Sequence, residues 1–269
     1  MRAHVVNGLT IVSVEGFGDR RIVHGFSTRG GGTSKPPFSS LNLAYHVGDD
    51  PQAVLKNRQL FFAALGLDLA RSTWAEQVHG ARVAVIDRAE VGRGALSADS
   101  VVPATDALVT NIPGTALAIM TADCVPILIF DPVRGAIGAV HAGWRGTLAK
   151  LAVKAIWTLQ EVYGTQPSDC QVVIGPAIGP CCFQVGPEVV EKFAKHWAGD
   201  DLTFISRSAQ GWYVDLARAN SLILQGIGIS DKNIFGGSHC TCCRSQQYFS
   251  YRRDQGRTGR MAAVIGLVE

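Results

Sequence analysis

The chain has 269 residues, 47% of them apolar and 17% charged, with a formal net charge of +3. The low hydrophobicity and high charge of disordered chains are both missing, and so mild a charge offers no clustered basic face for nucleic acid. No run approaches the roughly 20 apolar residues of a membrane helix, no signal peptide opens the chain, and seven cysteines, odd in number and partly adjacent, do not suit a disulfide framework, so a reduced, cytoplasmic protein is expected.

Strands are predicted at residues 9–15 and 22–28, with Gly16 to Arg21 as the turn between them. The loop Arg29-Gly30-Gly31-Gly32-Thr33-Ser34 lacks the P-loop lysine and the dinucleotide fingerprint. It reads either as a flexible connection or as a lid that carries Arg29 and, further on, Asn42. A helix is predicted from Asp50 or Pro51, a possible N-cap and a natural first residue, to a stop at Gly66. Trp74 to Val78 and Val83 to Ile86 read as strands flanking His79-Gly80. Residues 87–105 form a polar excursion, and Asp106 to Val109 and Ala116 to Met120 return as strands.

The stretch Thr121 to Thr147 holds Cys124, an apolar run, a turn at Asp131-Pro132 and Arg134-Gly135, and a second apolar run ending at His141. Turn residues there predict that the two runs double back, which sets Cys124 beside His141. Should His79 join them, the set offers three N/S ligands and an open fourth position, the pattern of a catalytic zinc. Each of the three also reads as an ordinary core or hydrogen-bonded residue. Cys124 with His141 equally permits a thiol nucleophile with an imidazole base.

Apolar residues at helical spacing predict one helix over Thr147 to Tyr163, capped by Thr147 and Gly164. Its positive end and Arg145 would stand beside the site as an anion-binding place, unless Arg145 only forms a salt bridge. Gln171 to Ile174 reads as a buried strand. Cys181-Cys182 lack C-x-x-C spacing and read as tight-turn packing. Glu188 to Trp197 and Leu216 to Gln225 are predicted helices, and Trp212 to Asp215 a strand.

Ser238-His239-Cys240-Thr241-Cys242-Cys243 reads as C-x-C-C, which matches no common zinc spacing, so no second metal centre is expected. The tail brings Arg252, Arg253 and Arg260 into one stretch, able to grip anionic oxygens or to pair with the chain's own carboxylates. A last strand runs from Met261 to Leu267. The irregular alternation of elements predicts a mixed sheet, or two sheets with helices outside.

The motifs QVHG, TADCVPIL, HAGWRG, IGPCCFQVG and FSYRRDQGRTGRMAAVI, in that order, resemble the YfiH/YlmD family. Its members are also described as laccase-domain or polyphenol oxidase proteins, later assigned as purine nucleoside enzymes. The resemblance runs from Ser27-Thr28-Arg29 to the C-terminus. It implies a single α/β (α+β) domain over residues 1–269, layered α/β/β/α with mixed sheets, of a type related to a toxin deamidase.

That resemblance further implies zinc on His79, Cys124 and His141, phosphorolysis of adenosine, inosine, guanosine and methylthioadenosine, and deamination of adenosine. The implied partners are a nucleoside and phosphate, with no nucleic acid and no membrane. Arg29, Asn42, Arg145, Arg252 and Arg260 are the candidates for holding them, and Asp123 is a candidate proton shuttle. The usual zinc deaminase signature, H-x-E with P-C-x-x-C, is absent. One alternative is a cysteine hydrolase using Cys124 and His141, acting on amides as in peptidoglycan-precursor editing; it leaves His79 idle. Another is a copper oxidase with Met120 near the set, but seven histidines are few for multicopper chemistry, and copper binding in vitro follows from N/S ligands alone.

Overall fold

The computed structural model describes residues 1–197 and 202–268. Among these, the strands make two six-stranded sheets and one three-stranded sheet. The first sheet runs Arg2–Val6, Leu9–Ser13, Ile22–Ser27, Met261–Leu267, Ala116–Thr121, Ser72–Trp74. It is antiparallel except for the last pair. The second runs Ile234–Gly236, Gln171–Ile174, Val125–Asp131, Ala136–Ala142, Ala107–Thr110, Val83–Val85, with parallel pairs at both edges. Gln184–Val185, Gly211–Val214 and Ile205–Ser208 form the small sheet.

Alternation along the strands builds the layers. Leu117, Ile119, Ala263 and Ile265 of the first sheet face Leu128, Phe130, Ile137 and Ala139 of the second in a shared core. Their neighbours Ala116, Ala118, Ala262 and Val264 point the other way, onto Phe61 and Phe62 of the helix Pro51–Leu65. On the far side, Val125, Ile127, Ile129 and Val140 pack on the helices Leu151–Tyr163 and Leu216–Gln225. The order is therefore helix, sheet, sheet, helix, as expected. Each fully buried Leu, Ile or Phe contributes about 1.5–3 kcal/mol of transfer free energy, so the rims of the two sheets are firmly placed. Among the described residues no helix is long and apolar enough to cross a membrane.

The helix Pro51–Leu65 starts as predicted, with the Asp50 side chain accepting from the Gln52 N–H, and stops at Gly66 in the left-handed region. Gln171–Ile174, Leu216–Gln225 and Met261–Leu267 also fall where their patterns put them. The Asn7-Gly8 pair, both residues at positive φ, turns an additional edge strand, Arg2–Val6, onto Leu9–Ser13.

Two expectations need correction. The helix expected from Thr147 to Tyr163 is two: Trp144–Leu148 and Leu151–Tyr163, parted by Ala149 and by Lys150 at φ 54°. Thr147 is no N-cap; it is buried within the first piece, where its hydroxyl accepts from Asn220 Nδ2 at 2.9 Å. A five-residue helix sums few peptide dipoles, so the anion site argued from a long helix loses its basis. The strand expected to reach Val78 ends at Trp74. Beyond it the Gln77 side chain takes over the pairing, its amide donating to Met120 O and accepting from Met120 N, both at 2.7 Å.

Candidate active site

Cys124 stands one residue before the Val125–Asp131 strand, and His141 one residue before the end of its antiparallel partner. The register pairs Val125 with Ala142 and Pro126 with His141. The hairpin predicted from its turn thus sets the sulfur beside the imidazole. His141 has the parity of Ile137 and Ala139, so it lies on the sheet–sheet face at the open rim, and it is only 4% exposed.

His79 comes to them on a loop. The backbone N–H groups of Val78, His79 and Gly80 donate to the Asp106 carboxylate at 3.2, 3.0 and 2.7 Å, with His79 at φ 57°. The same carboxylate lies 2.8 Å from His141 Nδ1. One fully buried acid therefore holds both histidine-bearing segments, and it leaves His141 Nε2 for the site. The two rings meet edge to face with centroids 4.9 Å apart, and the ligand atoms of His79, Cys124 and His141 all lie within 4.8 Å of one another. In sequence Asp106 shows only as the start of a strand, because its partners lie 26 to 35 residues away.

Burial alone would push the Cys124 thiol up, yet the charge of His141 and hydrogen bonds from both histidines bring it down to about 6. Burial likewise disfavours a charged His141, but Cys124 and Asp106 raise it to about 9. Without metal the pair is a thiolate and an imidazolium between those values. In metal-stripped protein, alkylation of Cys124 should therefore rise through about pH 6 and level off above it, since the thiolate is the nucleophile. Peptide mass spectrometry after timed iodoacetamide pulses reads that midpoint; one near the ordinary thiol value refutes the pairing.

The set opens into a cavity of about 460 Å³. Trp144, Phe183 and Tyr251 give it aromatic walls, and Arg145, Arg252 and Arg260 line it as cations. Arg145 lies over Trp144. Arg252 donates to Cys182 O and Gln184 O and covers Phe183. Arg260 is within electrostatic reach of Cys124 and Asp123.

Three predicted contacts lie elsewhere or act indirectly. Arg29 is outside this cavity, its guanidinium bonded to Ser39 O and Ser245 O and stacked on Phe249. Asn42 is fully buried and bonded to Ala44, Asp49 and the Arg260 N–H, so it places Arg260 without reaching the cavity. Asp123 lines the cavity at φ 100°, but its carboxylate accepts from Thr241 Oγ1, Ser250 Oγ and the Arg252 N–H. With both oxygens engaged it ties loops together and is poorly placed to shuttle a proton. His46 and Gln77 also line the cavity; Gln77 opens the QVHG motif, whereas no local pattern marks His46.

Comparison with known proteins shows which family has this sequence and fold. The family model described as multi-copper polyphenol oxidoreductase laccase matches residues 23–268. Over 245 residues the chain is 41% identical to a protein named purine nucleoside phosphorylase YlmD from Geobacillus stearothermophilus, covering 91% of this chain and 89% of that one. The chain belongs to the YfiH/YlmD family. It is also 37% identical over 251 residues to a protein named adenosine deaminase RL5 from an unknown prokaryotic organism, covering 91% and 93% of the two chains. The crystal structure of YlmD from Geobacillus stearothermophilus matches with a TM-score of 0.93 at 39% identity, covering 99% of this chain and 98% of that one.

In this YfiH/YlmD chain the histidines outside the site are dispersed. His24 accepts from the Val14 N–H, His196 bonds Lys192 O, and His239 meets the Tyr248 hydroxyl. Among the described residues no second histidine cluster forms. The backbone at Gly143 approaches the site closely. A Cβ there would stand 3.0 Å from Cys124 Sγ and 3.4 Å from His79 Cδ2, although φ −71° suits any residue. Gly143→Ala should therefore weaken metal binding about 10-fold, the lower end for disturbed support of a metal site, while Tm stays nearly constant. Metal titration beside a thermal melt tests this; unchanged affinity refutes the close approach.

Proposed function

We propose that this chain is a metal-dependent purine nucleoside enzyme, phosphorolysing adenosine, inosine, guanosine and methylthioadenosine and deaminating adenosine. The observation that carries the reading is the meeting, in one cavity, of a His-Cys-His donor set, aromatic walls and three arginines. The donors fit zinc: two imidazoles and a thiol that loses its proton readily, with the His141 ring oriented by a buried carboxylate. When bound, zinc supplies Lewis-acid polarisation at an open fourth position. Copper would compete for the same donors in vitro.

The chain's own residues bind and orient. Aromatic faces of Trp144 and Phe183 suit stacking on a purine. Arg145, Arg252 and Arg260 suit phosphate oxygens. In phosphorolysis a phosphate oxygen bonds to C1′ as the C1′–N9 bond breaks, and the base leaves with a proton. In deamination a water oxygen replaces the C6 amino group, which leaves as ammonia. Nucleoside and phosphate are then the partners, and seven free cysteines suit a cytoplasmic setting.

The test is a product analysis of zinc-loaded protein with adenosine, with and without phosphate. Phosphate-dependent adenine or phosphate-independent inosine supports the reading and says which reaction leads. If neither forms, the reading fails.

A second reading rests on one arrangement: Cys124 hydrogen-bonded to His141, itself held by Asp106, in the order nucleophile, base, orienting acid. An amide hydrolase of this kind would keep its activity after chelation, whereas the nucleoside enzyme would lose it.

A further inference from the structure

A second group of metal-ligating side chains lies outside the cavity. Cys181 and Cys182, on the turn after Gly179, meet Cys240 and Cys243, some sixty residues later. Cys181 Sγ is 3.5 Å and Cys182 Sγ 3.3 Å from Cys243 Sγ, and all four sulfurs lie within 4.8 Å of one another. We propose that these four cysteines form a structural site for one zinc ion, stapling the two loops together.

The geometry favours a mononuclear ion. With a metal–sulfur distance of about 2.3 Å, a tetrahedral tetrathiolate has sulfur–sulfur edges of about 3.8 Å, within the range seen here. A disulfide would need one sulfur pair at about 2.05 Å, whereas Cys243 is shared almost equally between Cys181 and Cys182. An iron–sulfur cluster would hold the sulfurs further apart.

The surroundings suit a thiolate site. Cys240 Sγ accepts from the Gly179 N–H at 3.3 Å and from the Cys243 N–H. Such donors stabilise sulfur that carries charge. Gly179 packs closely on the cluster, since a Cβ there would stand 3.3 Å from Cys240 Cβ and 3.4 Å from Cys181 Sγ. Arg252 donates to Cys182 O, and Arg253 to Thr241 O and Cys242 O, which sets two cations beside a site whose four thiolates exceed the charge of one zinc. The sequence signal exists in hindsight: Cys240 and Cys243 are a C-x-x-C pair, masked by the intervening Cys242.

The staple would act on the neighbouring cavity. The first loop carries Ile178 and Phe183 into its wall, and the second carries Thr241 onto Asp123.

The test is zinc content per chain after dialysis into metal-free buffer under reducing conditions. Cys124→Ala protein, in which the His-Cys-His set is broken, should retain one zinc. Replacing that zinc by cobalt should give the intense sulfur-to-cobalt charge-transfer band of a tetrathiolate, and stripping it should lower Tm by at least about 5 °C. Adding Cys243→Ser should remove the metal, while Cys242→Ser should leave it. Folded Cys124→Ala protein that takes up neither zinc nor cobalt overturns the proposal, as does a disulfide among these cysteines in non-reducing mass spectra. Loss through Cys242→Ser but not Cys243→Ser overturns the ligand set. Should Cys243→Ser fail to fold, the cobalt spectrum of Cys124→Ala decides alone. None of these readouts depends on nucleoside turnover.

Discussion

Cys124→Ala should lower adenosine turnover by more than about 10³-fold, beyond the 10–100-fold typical of losing a group that only supports a metal ligand. The sulfur is a member of the donor set and interacts with both imidazoles, so its loss removes a donor atom and the charge that raises His141 without metal. Packing changes little, because Cys124 lines a cavity and only a sulfur is deleted. The expected signature is therefore lost turnover and lost metal at this centre with a near-native melting curve. Turnover within about 10-fold of wild type would show that the sulfur takes no part in the reaction.

Asp106→Asn should weaken metal affinity or activity 10–100-fold and destabilise the fold by about 2–4 kcal/mol. The carboxylate receives the N–H groups of Val78, His79 and Gly80 and faces His141 Nδ1. An amide offers one oxygen and turns N–H against N–H at the other position, leaving buried donors unmet. A pH series separates this from a simple packing defect. Burial opposes ionisation of Asp106, but the hydrogen bond and charge of His141 and the Gly80 N–H hold its carboxyl below the usual range. That contribution is fully present above the ordinary carboxylate value of about 3.9 and is lost as pH falls through the lower native one. The Tm gap between wild type and Asp106→Asn should thus be constant between about pH 5 and 6, close below about pH 4, and in metal-free protein shrink as pH rises from about 6.5 towards 9, because Asp106 also raises His141. A gap that persists in acid would show that the acid's charge is not what the site uses.

Much of the site was legible where one stretch of chain builds it. The Asp131-Pro132 turn and the apolar runs on either side imply a hairpin, and a hairpin's register follows from its turn, so Cys124 beside His141 needed no tertiary information. Caps and periodicity likewise located Pro51–Leu65 and Leu216–Gln225. Local signals misled where packing overrode them. Thr147 has the chemistry of a cap, but Asn220, from another helix, claims its hydroxyl. Arg29 and Asn42 have the chemistry of ligand contacts, but carbonyls and side chains of the fold use their hydrogen-bonding capacity.

By itself the sequence indicated a mixed sheet or two sheets with helices outside, through strand alternation and helix caps, and the pairing of Cys124 with His141, while the layered α/β/β/α order came from the family resemblance. Strands, caps and that pairing depend on neighbours a few residues apart. Tertiary structure alone decided that Asp106 orients both histidine segments, that Asp123 binds the loops from Thr241 and Ser250 across 118 and 127 residues, and that Cys181 and Cys182 reach Cys240 and Cys243. Such contacts form only when the two sheets close on their common core. The free energy that selects them comes from burying strands such as Met261–Leu267, and no local pattern around the polar residues records it.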